Sequence, residues 1–386
     1  MPRIELLVIQ PTPFCNINCA YCYLPHRSSR AVVSERTLFN LFSQVFSSGW
    51  FDNCVPVVWH AGEPLVLPVE FYRRTFAMIE RLRPAGLAVQ HAFQTNGMLL
   101  NEAWCEFFAD QRINVGVSVD GPRHLHDRQR VTRNGSGTFA KTIAGIRLLR
   151  NRSVPFHVIS VLSPESMAAP QEMFDFYVSE GIKEVCFNVE ESEGGHTSRS
   201  FANADIEAEY YRFLHEFWRL SSLHPGAITF IREIEHAIGQ VVRPGDTPVH
   251  NQLVEPFAIT SMDCEGNVST FSPELLGLKN PAFGDYLLGN VNRGTLVEFL
   301  NSPDLARMAR DIDAGVEMCR TSCQYFSVCG GGEPVNKIAE NGTFASSETK
   351  YCRLAKMRTT DLVLNAIERV TQGSHAPRSH ISQNRR

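Results

Sequence analysis

The chain has 386 residues, of which 43% are hydrophobic and 20% charged, and its formal net charge is −4. That length predicts two packing units, and the charge excludes a protein held on nucleic acid by a general positive field. No run approaches the ~18 apolar residues of a membrane-spanning helix, and the opening MPRIELLVIQPTP lacks the apolar core and cleavage site of a signal peptide. Eleven cysteines in such a chain point to a reducing, cytoplasmic setting, where clustered thiols bind metal or catalyse.

The first apolar run, RIELLVIQ at about 3–10, predicts a strand, and PFCNINCAYCYLP follows it with Cys15, Cys19 and Cys22 spaced C-x3-C-x2-C. A structural zinc site needs four closed ligands, and the neighbourhood offers only His26 as a fourth. Three thiolates suit a 4Fe-4S cluster with one iron left open for a substrate or cofactor.

Further β-rich runs lie at about 54–59, 87–94, 113–119, 155–162 and 184–190. Helical patterns separate them at about 34–48, 68–83, 101–111, 137–150 and 169–180. Leu38, Leu41, Phe42 and Val45 fall on one face of the first helix, and Asn101 stands where an N-cap belongs. Six strand–helix units predict parallel strands with right-handed crossovers, an open (β/α) barrel with its chemistry at the C-terminal strand ends. WHAGEPL, QTNG and SVDGPRHLHDRQR occupy those ends after strands two, three and four. His60, His124 and His126 receive no role.

After residue 190 the pattern changes. ESEGGHTSRS reads as a linker, and a helix over about 203–220 carries Ile206, Tyr210, Phe213, Leu214 and Phe217 on one stripe. Another helix is expected at 228–240. Residues 191–260 are taken as a helical bridge between a barrel (1–190) and a second module (261–370), with 371–386 a disordered tail. That module holds Cys319, Cys323 and Cys329, spaced C-x3-C-x5-C, and then Cys352. Structural zinc and an iron–sulfur cluster both remain open for this set. Among the carboxylates, Glu190 and Glu191 end strand six and Asp263, Glu265 and Glu274 lie in the second module; Glu190 is chosen as the catalytic base. Cys54, Cys105 and Cys186 read as small apolar residues.

The opening loop resembles that of the radical S-adenosylmethionine (SAM) enzymes, C-x3-C-x-aromatic-C, with Tyr21 in the aromatic position. The resemblance implies a TIM-like partial (β/α)6 barrel and a 4Fe-4S cluster whose open iron binds SAM and cleaves it to a 5'-deoxyadenosyl radical. It implies that Ala61, Gly62, Glu63 and Pro64 match the GGEP segment that receives the SAM amino group, with Ala61 replacing the first glycine. By the same likeness Asn96 in QTNG lines the SAM site, Ser118 and Asp120 lie near the ribose and carboxylate, and Arg130 clamps that carboxylate. An electron donor such as flavodoxin or ferredoxin is implied as a partner.

The second cysteine set resembles the SPASM extension of peptide-modifying relatives, implying an auxiliary 4Fe-4S cluster on Cys319, Cys323, Cys329 and Cys352. A further auxiliary cluster is not expected, because Phe271 and Glu333 stand where two of its cysteines belong and Cys264 is left over. GNVSTFSPELLG, CQYFSVCGGGEPVNK and ENGTF…ETKYCR are similar to maturases that install three-residue cyclophanes in glycine-rich-repeat precursor peptides. That likeness implies hydrogen abstraction from a β-carbon of a ribosomally made, glycine-rich peptide and C–C bonding to an aromatic ring. A sulfatase-maturating oxidase, a thioether-forming maturase and a non-enzymatic zinc or iron–sulfur module are the alternatives. The leader peptide is expected on the bridge and second module, since the chain begins almost at strand one.

Overall fold

The computed structural model describes residues 2–374 except 195, 244 and 246, and the side chains of 370–374 are not described. The strands are β1 (Leu6–Ile9), β2 (Ile17–Cys19), β3 (Cys54–Trp59), β4 (Ala88–Thr95), β5 (Asn114–Ser118), β6 (Arg130–Thr132), β7 (Phe156–Leu162), β8 (Glu184–Val189), β9 (Phe230–Ile231), β10 (Ile259–Met262), β11 (Asn267–Thr270) and β12 (Gly289–Asn290). Ten of them form one sheet in the order β12-β11-β10-β1-β3-β4-β5-β7-β8-β9.

The six strands expected from the sequence are β1, β3, β4, β5, β7 and β8, and they pair in parallel in that order. Helices Glu35–Ser48, Val69–Leu82, Glu102–Asp110, Phe139–Asn151 and Pro170–Ser179 connect them. This is the open α/β arrangement of parallel strands that the strand–helix alternation implied. The first helix begins where Ser34 accepts a hydrogen bond from the Thr37 N–H and ends at Gly49 in the left-handed conformation. Its Leu38, Leu41, Phe42 and Val45 are fully buried. Trp59 on β3 packs edge-on against Tyr72 at 5.2 Å, and Phe93, Trp104 and Phe107 extend that aromatic layer.

Short-range patterning did not reveal how the sheet continues. β10 lies parallel to β1, with Leu6 opposite Ile259, and β11 and β12 then add antiparallel. The stretch expected to open a second module therefore extends the barrel sheet. On the far side, β9 pairs with β8. Helix Ile206–Leu223 buries its expected stripe. Helix Thr359–Ser374 runs four residues into the expected tail; the rest of that tail lies outside the described residues. Among the described residues no helix is long and apolar enough to cross a membrane.

Candidate active site

The loop carrying Cys15, Cys19 and Cys22 leaves β1 and is held from several sides. Within it β2 pairs antiparallel with β6, so that Cys19 lies opposite Arg130. The Ala20 N–H donates to the Gln129 carbonyl at 2.8 Å, the Cys15 N–H to Arg27 at 3.2 Å, and the Glu63 N–H to Phe14 at 2.9 Å. Gly62 is required here: a Cβ on it would meet the Thr12 carbonyl oxygen at 2.2 Å. Ala61 adopts φ 64, the left-handed region where a glycine sits without strain.

Around this loop the strand ends close a cavity of about 350 Å³. Cys15, Cys19, Cys22, Tyr21, Gly62, Glu63, Asn96, Ser118, Arg130 and Glu190 line it; Ala61, Pro64 and Asp120 do not. Glu63 is 1% exposed and ties β3 to β4, accepting from Thr95 Oγ1 at 2.7 Å and from the N–H groups of Asn96 and Leu65. Burial pushes its carboxyl up to about 7, against those hydrogen bonds. Asn96 Nδ2 donates to Asn16 Oδ1 at 2.7 Å and approaches Cys15 Sγ at 3.8 Å. Ser118 Oγ accepts from Gln94 Nε2 at 3.0 Å.

Asp120 and Arg130 are committed to one another. The Arg130 guanidinium donates twice to Asp120, from Nε at 2.9 Å and Nη2 at 3.1 Å, in a pair almost wholly buried. Tyr21 Oη (2.6 Å) and the Val161 N–H (3.0 Å) also donate to Asp120. The Arg130 group that remains, Nη1, lies 3.8 Å from Cys19 Sγ. Through these contacts Asp120 and Arg130 tie Tyr21 and Cys19 of the loop to the strand ends.

Glu190 is 2% exposed, and its carboxylate is taken up by the following segment. It accepts from Ser200 Oγ at 2.8 Å and from the Ser200 N–H at 3.3 Å, and meets His196 Nε2 at 3.1 Å. The adjacent Glu191 lines the cysteine cavity and also a second cavity of about 530 Å³. Glu193 and Glu274 are likewise shared, and Glu333 faces the larger cavity only. Asn336 Nδ2 donates to Glu191 at 2.5 Å. Burial, and then the charge of Glu333, push the Glu191 carboxyl upward. Glu193 and Tyr23, which the sequence reading passed over, have no local spacing that marks them.

The larger cavity reaches Cys329 and Lys356, where a third of about 290 Å³ begins. Cys319, Cys323, Cys329 and Cys352 all line that third cavity. Gly330, Gly331 and Gly332 take φ of 67°, 110° and 76°, a run that only glycine makes cheaply. Cys264 belongs to the hydrophobic core, as does Phe271. Glu333 pairs with Lys356 at 2.9 Å.

The residues fit the group expected at the first cavity. The three sulfurs line one cavity, and burial pushes the Cys15 thiol up to about 12 and the Cys19 thiol up to about 11. Among the described residues no three His, Cys, Asp or Glu side chains converge on a single ion. A four-iron cluster asks for another arrangement, each thiolate taking its own iron.

Residues 9–177 match the radical SAM superfamily. An uncharacterized protein of Synechocystis is 39% identical over 368 residues, spanning 94% of this chain and 92% of that protein. The chain belongs to the radical SAM superfamily. Its cofactors are accordingly SAM and a 4Fe-4S cluster. The serine-type anaerobic sulfatase-maturating enzyme of Bacteroides thetaiotaomicron is 24% identical, over 84% of this chain and 81% of that enzyme. The solved structure of native anSMEcpe with bound AdoMet superposes with a TM-score of 0.77 at 19% identity, covering 96% of this chain and 99% of that one. Streptococcus suis SuiB bound to precursor peptide SuiA gives a TM-score of 0.61 at 15% identity, over 92% and 77% of the two chains. These likenesses establish the fold.

Proposed function

We propose that this radical SAM enzyme is a peptide maturase that joins a side-chain β-carbon of a ribosomally made precursor to an aromatic ring. The observation that carries the reading is the run of three adjoining cavities, with cysteine sets at both ends and buried carboxylates between them. A cavity of about 530 Å³ is of the size that accepts two neighbouring side chains. When bound, SAM and its cluster supply the adenosyl radical that removes the hydrogen. Ring attack then leaves one proton and one electron to be lost before aromaticity returns. Glu191, held by Asn336 between the two cavities, is positioned to take the proton. The Cys319, Cys323, Cys329 and Cys352 set would hold an auxiliary cluster, with no open iron, that takes the electron.

Named similarities support a peptide substrate: SuiB is solved with its precursor peptide SuiA and anSMEcpe with the Cp18Cys peptide. The sulfatase-maturating relatives favour a second reading, oxidation of one serine or cysteine in a protein substrate. All eleven cysteines are free, which supports a cytoplasmic location. The enzyme co-expressed with a short glycine-rich open reading frame beside its gene should yield a peptide lacking a pair of hydrogens per modification. Tandem mass spectra without backbone cleavage between the linked residues support the crosslink. A peptide that fragments throughout and reacts with hydrazine carries an aldehyde and overturns it.

A further inference from the structure

Lys337 is an ammonium in the wrong place for an ordinary lysine. It is 2% exposed, and among the described residues no carboxylate pairs with it. Its Nζ donates to the Gly315 carbonyl at 3.0 Å and to Cys319 Sγ at 3.4 Å. The niche is built for it. A Cβ on Gly315 would lie 3.1 Å from Nζ, besides meeting the Phe344 carbonyl oxygen at 2.2 Å, and one on Gly332 would lie 3.6 Å from Cε. Lysine is almost never fully buried without a partner, because the charge loses its hydration. The nearby lysine, Lys356, already has Glu333 as its counter-ion. Beside the Gly315 carbonyl, the group that Lys337 Nζ meets is the Cys319 sulfur, which carries negative charge when it ligates iron.

We propose that Lys337 is the counter-charge beside the four-cysteine site and poises the cluster those cysteines would bind to accept an electron. The inference rests on the auxiliary-cluster reading above. A fixed positive charge and an N–H···S hydrogen bond both favour the reduced, more negative state. A cluster on these cysteines would supply the electron acceptor, and Lys337 Nζ would donate to one of its sulfur ligands, Cys319 Sγ, at 3.4 Å. Lys337 touches a cysteine ligand and no substrate, so its role is positioning and electrostatic.

The test uses protein carrying Cys15→Ala, Cys19→Ala and Cys22→Ala, reconstituted anaerobically, so that iron and spectra report the C-terminal site alone. Lys337→Met should retain about four irons per chain. Its reduction equilibrium, followed by electron paramagnetic resonance in a redox titration, should become about a hundredfold less favourable. At 59 mV per decade that is a shift of roughly 120 mV to lower potential. Lys337→Gln, which keeps a hydrogen-bond donor and loses the charge, should move the same way and serves if the methionine variant misfolds. An unmoved potential in a fully loaded variant overturns the inference and leaves the cluster reading standing. Zinc or no metal in the parent protein overturns both.

Discussion

Asp120, expected near SAM from its motif, accepts hydrogen bonds from Arg130, Tyr21 and Val161 in the structure. Replacing it with asparagine keeps the shape and removes the charge. The Arg130 guanidinium, 6% exposed, then loses a bidentate partner at 2.9 and 3.1 Å, and no other carboxylate lies within salt-bridge distance of it among the described residues. Breaking a buried pair from one side costs about 3–5 kcal/mol. The new amide must also present an N–H to one of four groups that already donate: Tyr21, the two guanidinium nitrogens and the Val161 N–H. Asp120→Asn should therefore lose at least about 3 kcal/mol in urea unfolding followed by circular dichroism, with reduced iron retention at the first cluster. Arg130→Met with Asp120→Leu together should recover much of that loss, since a buried pair is replaced more cheaply than it is halved. If Arg130 instead served mainly as a clamp on the SAM carboxylate, Asp120→Asn would raise the KM for SAM and leave stability near wild type. That outcome refutes the bracing argument.

Replacing any of Cys15, Cys19 or Cys22 with alanine should abolish 5'-deoxyadenosine formation while circular dichroism stays close to wild type; undiminished SAM cleavage contradicts the site. Iron analysis after anaerobic reconstitution should give about eight irons per chain and be unchanged in Cys264→Ala, whose side chain lies in the core; twelve falling to eight would show a third cluster. Ala61→Gly should stabilise the fold by about 0.5 kcal/mol in the same urea assay, because φ 64 strains alanine and not glycine. Burial raises the Glu191 carboxyl above the ordinary ~4.3. Its basic form is therefore absent at low pH, and crosslinking should rise with pH across that raised pKa. Glu191→Gln should keep 5'-deoxyadenosine formation and lose that pH limb; a persisting limb removes Glu191 from the proton step.

The cysteine spacings and strand ends were legible because their chemistry is local. A C-x3-C-x2-C loop needs its thiols on one short backbone segment, and a GEP turn needs its glycine where Gly62 meets Thr12. Strands β1, β3, β4, β5, β7 and β8 were legible for the same reason: each is a short run rich in apolar and β-branched residues. What escaped was set by distant partners. β10 is only the four residues ITSM, and its register with β1 is what makes it part of the barrel sheet. Asp120 and Arg130 were both marked, yet their mutual pairing needs β5 and β6 in three dimensions. Glu190 and Glu191 are adjacent in sequence and equivalent by pattern. The segment 196–200 folds back on one and leaves the other facing two cavities.

The two cysteine sites also differ in how their order is secured. The first loop is fixed by contacts to remote parts of the chain: a strand pairing with β6, the Asp120–Arg130 brace, and the Gly62 turn. Folding of the barrel thus meets most of the entropy of placing three thiols before iron arrives. Cys15, Cys19 and Cys22 would hold three irons of a four-iron cluster, and they line one cavity. The second set rests on three successive left-handed glycines and a buried lysine that donates to Cys319 Sγ at 3.4 Å, a local arrangement. Metal binding there should contribute to folding itself, as it does wherever ligands must be deprotonated and assembled together. A site so constructed is full when loaded, and that suits a group that passes electrons and binds no substrate.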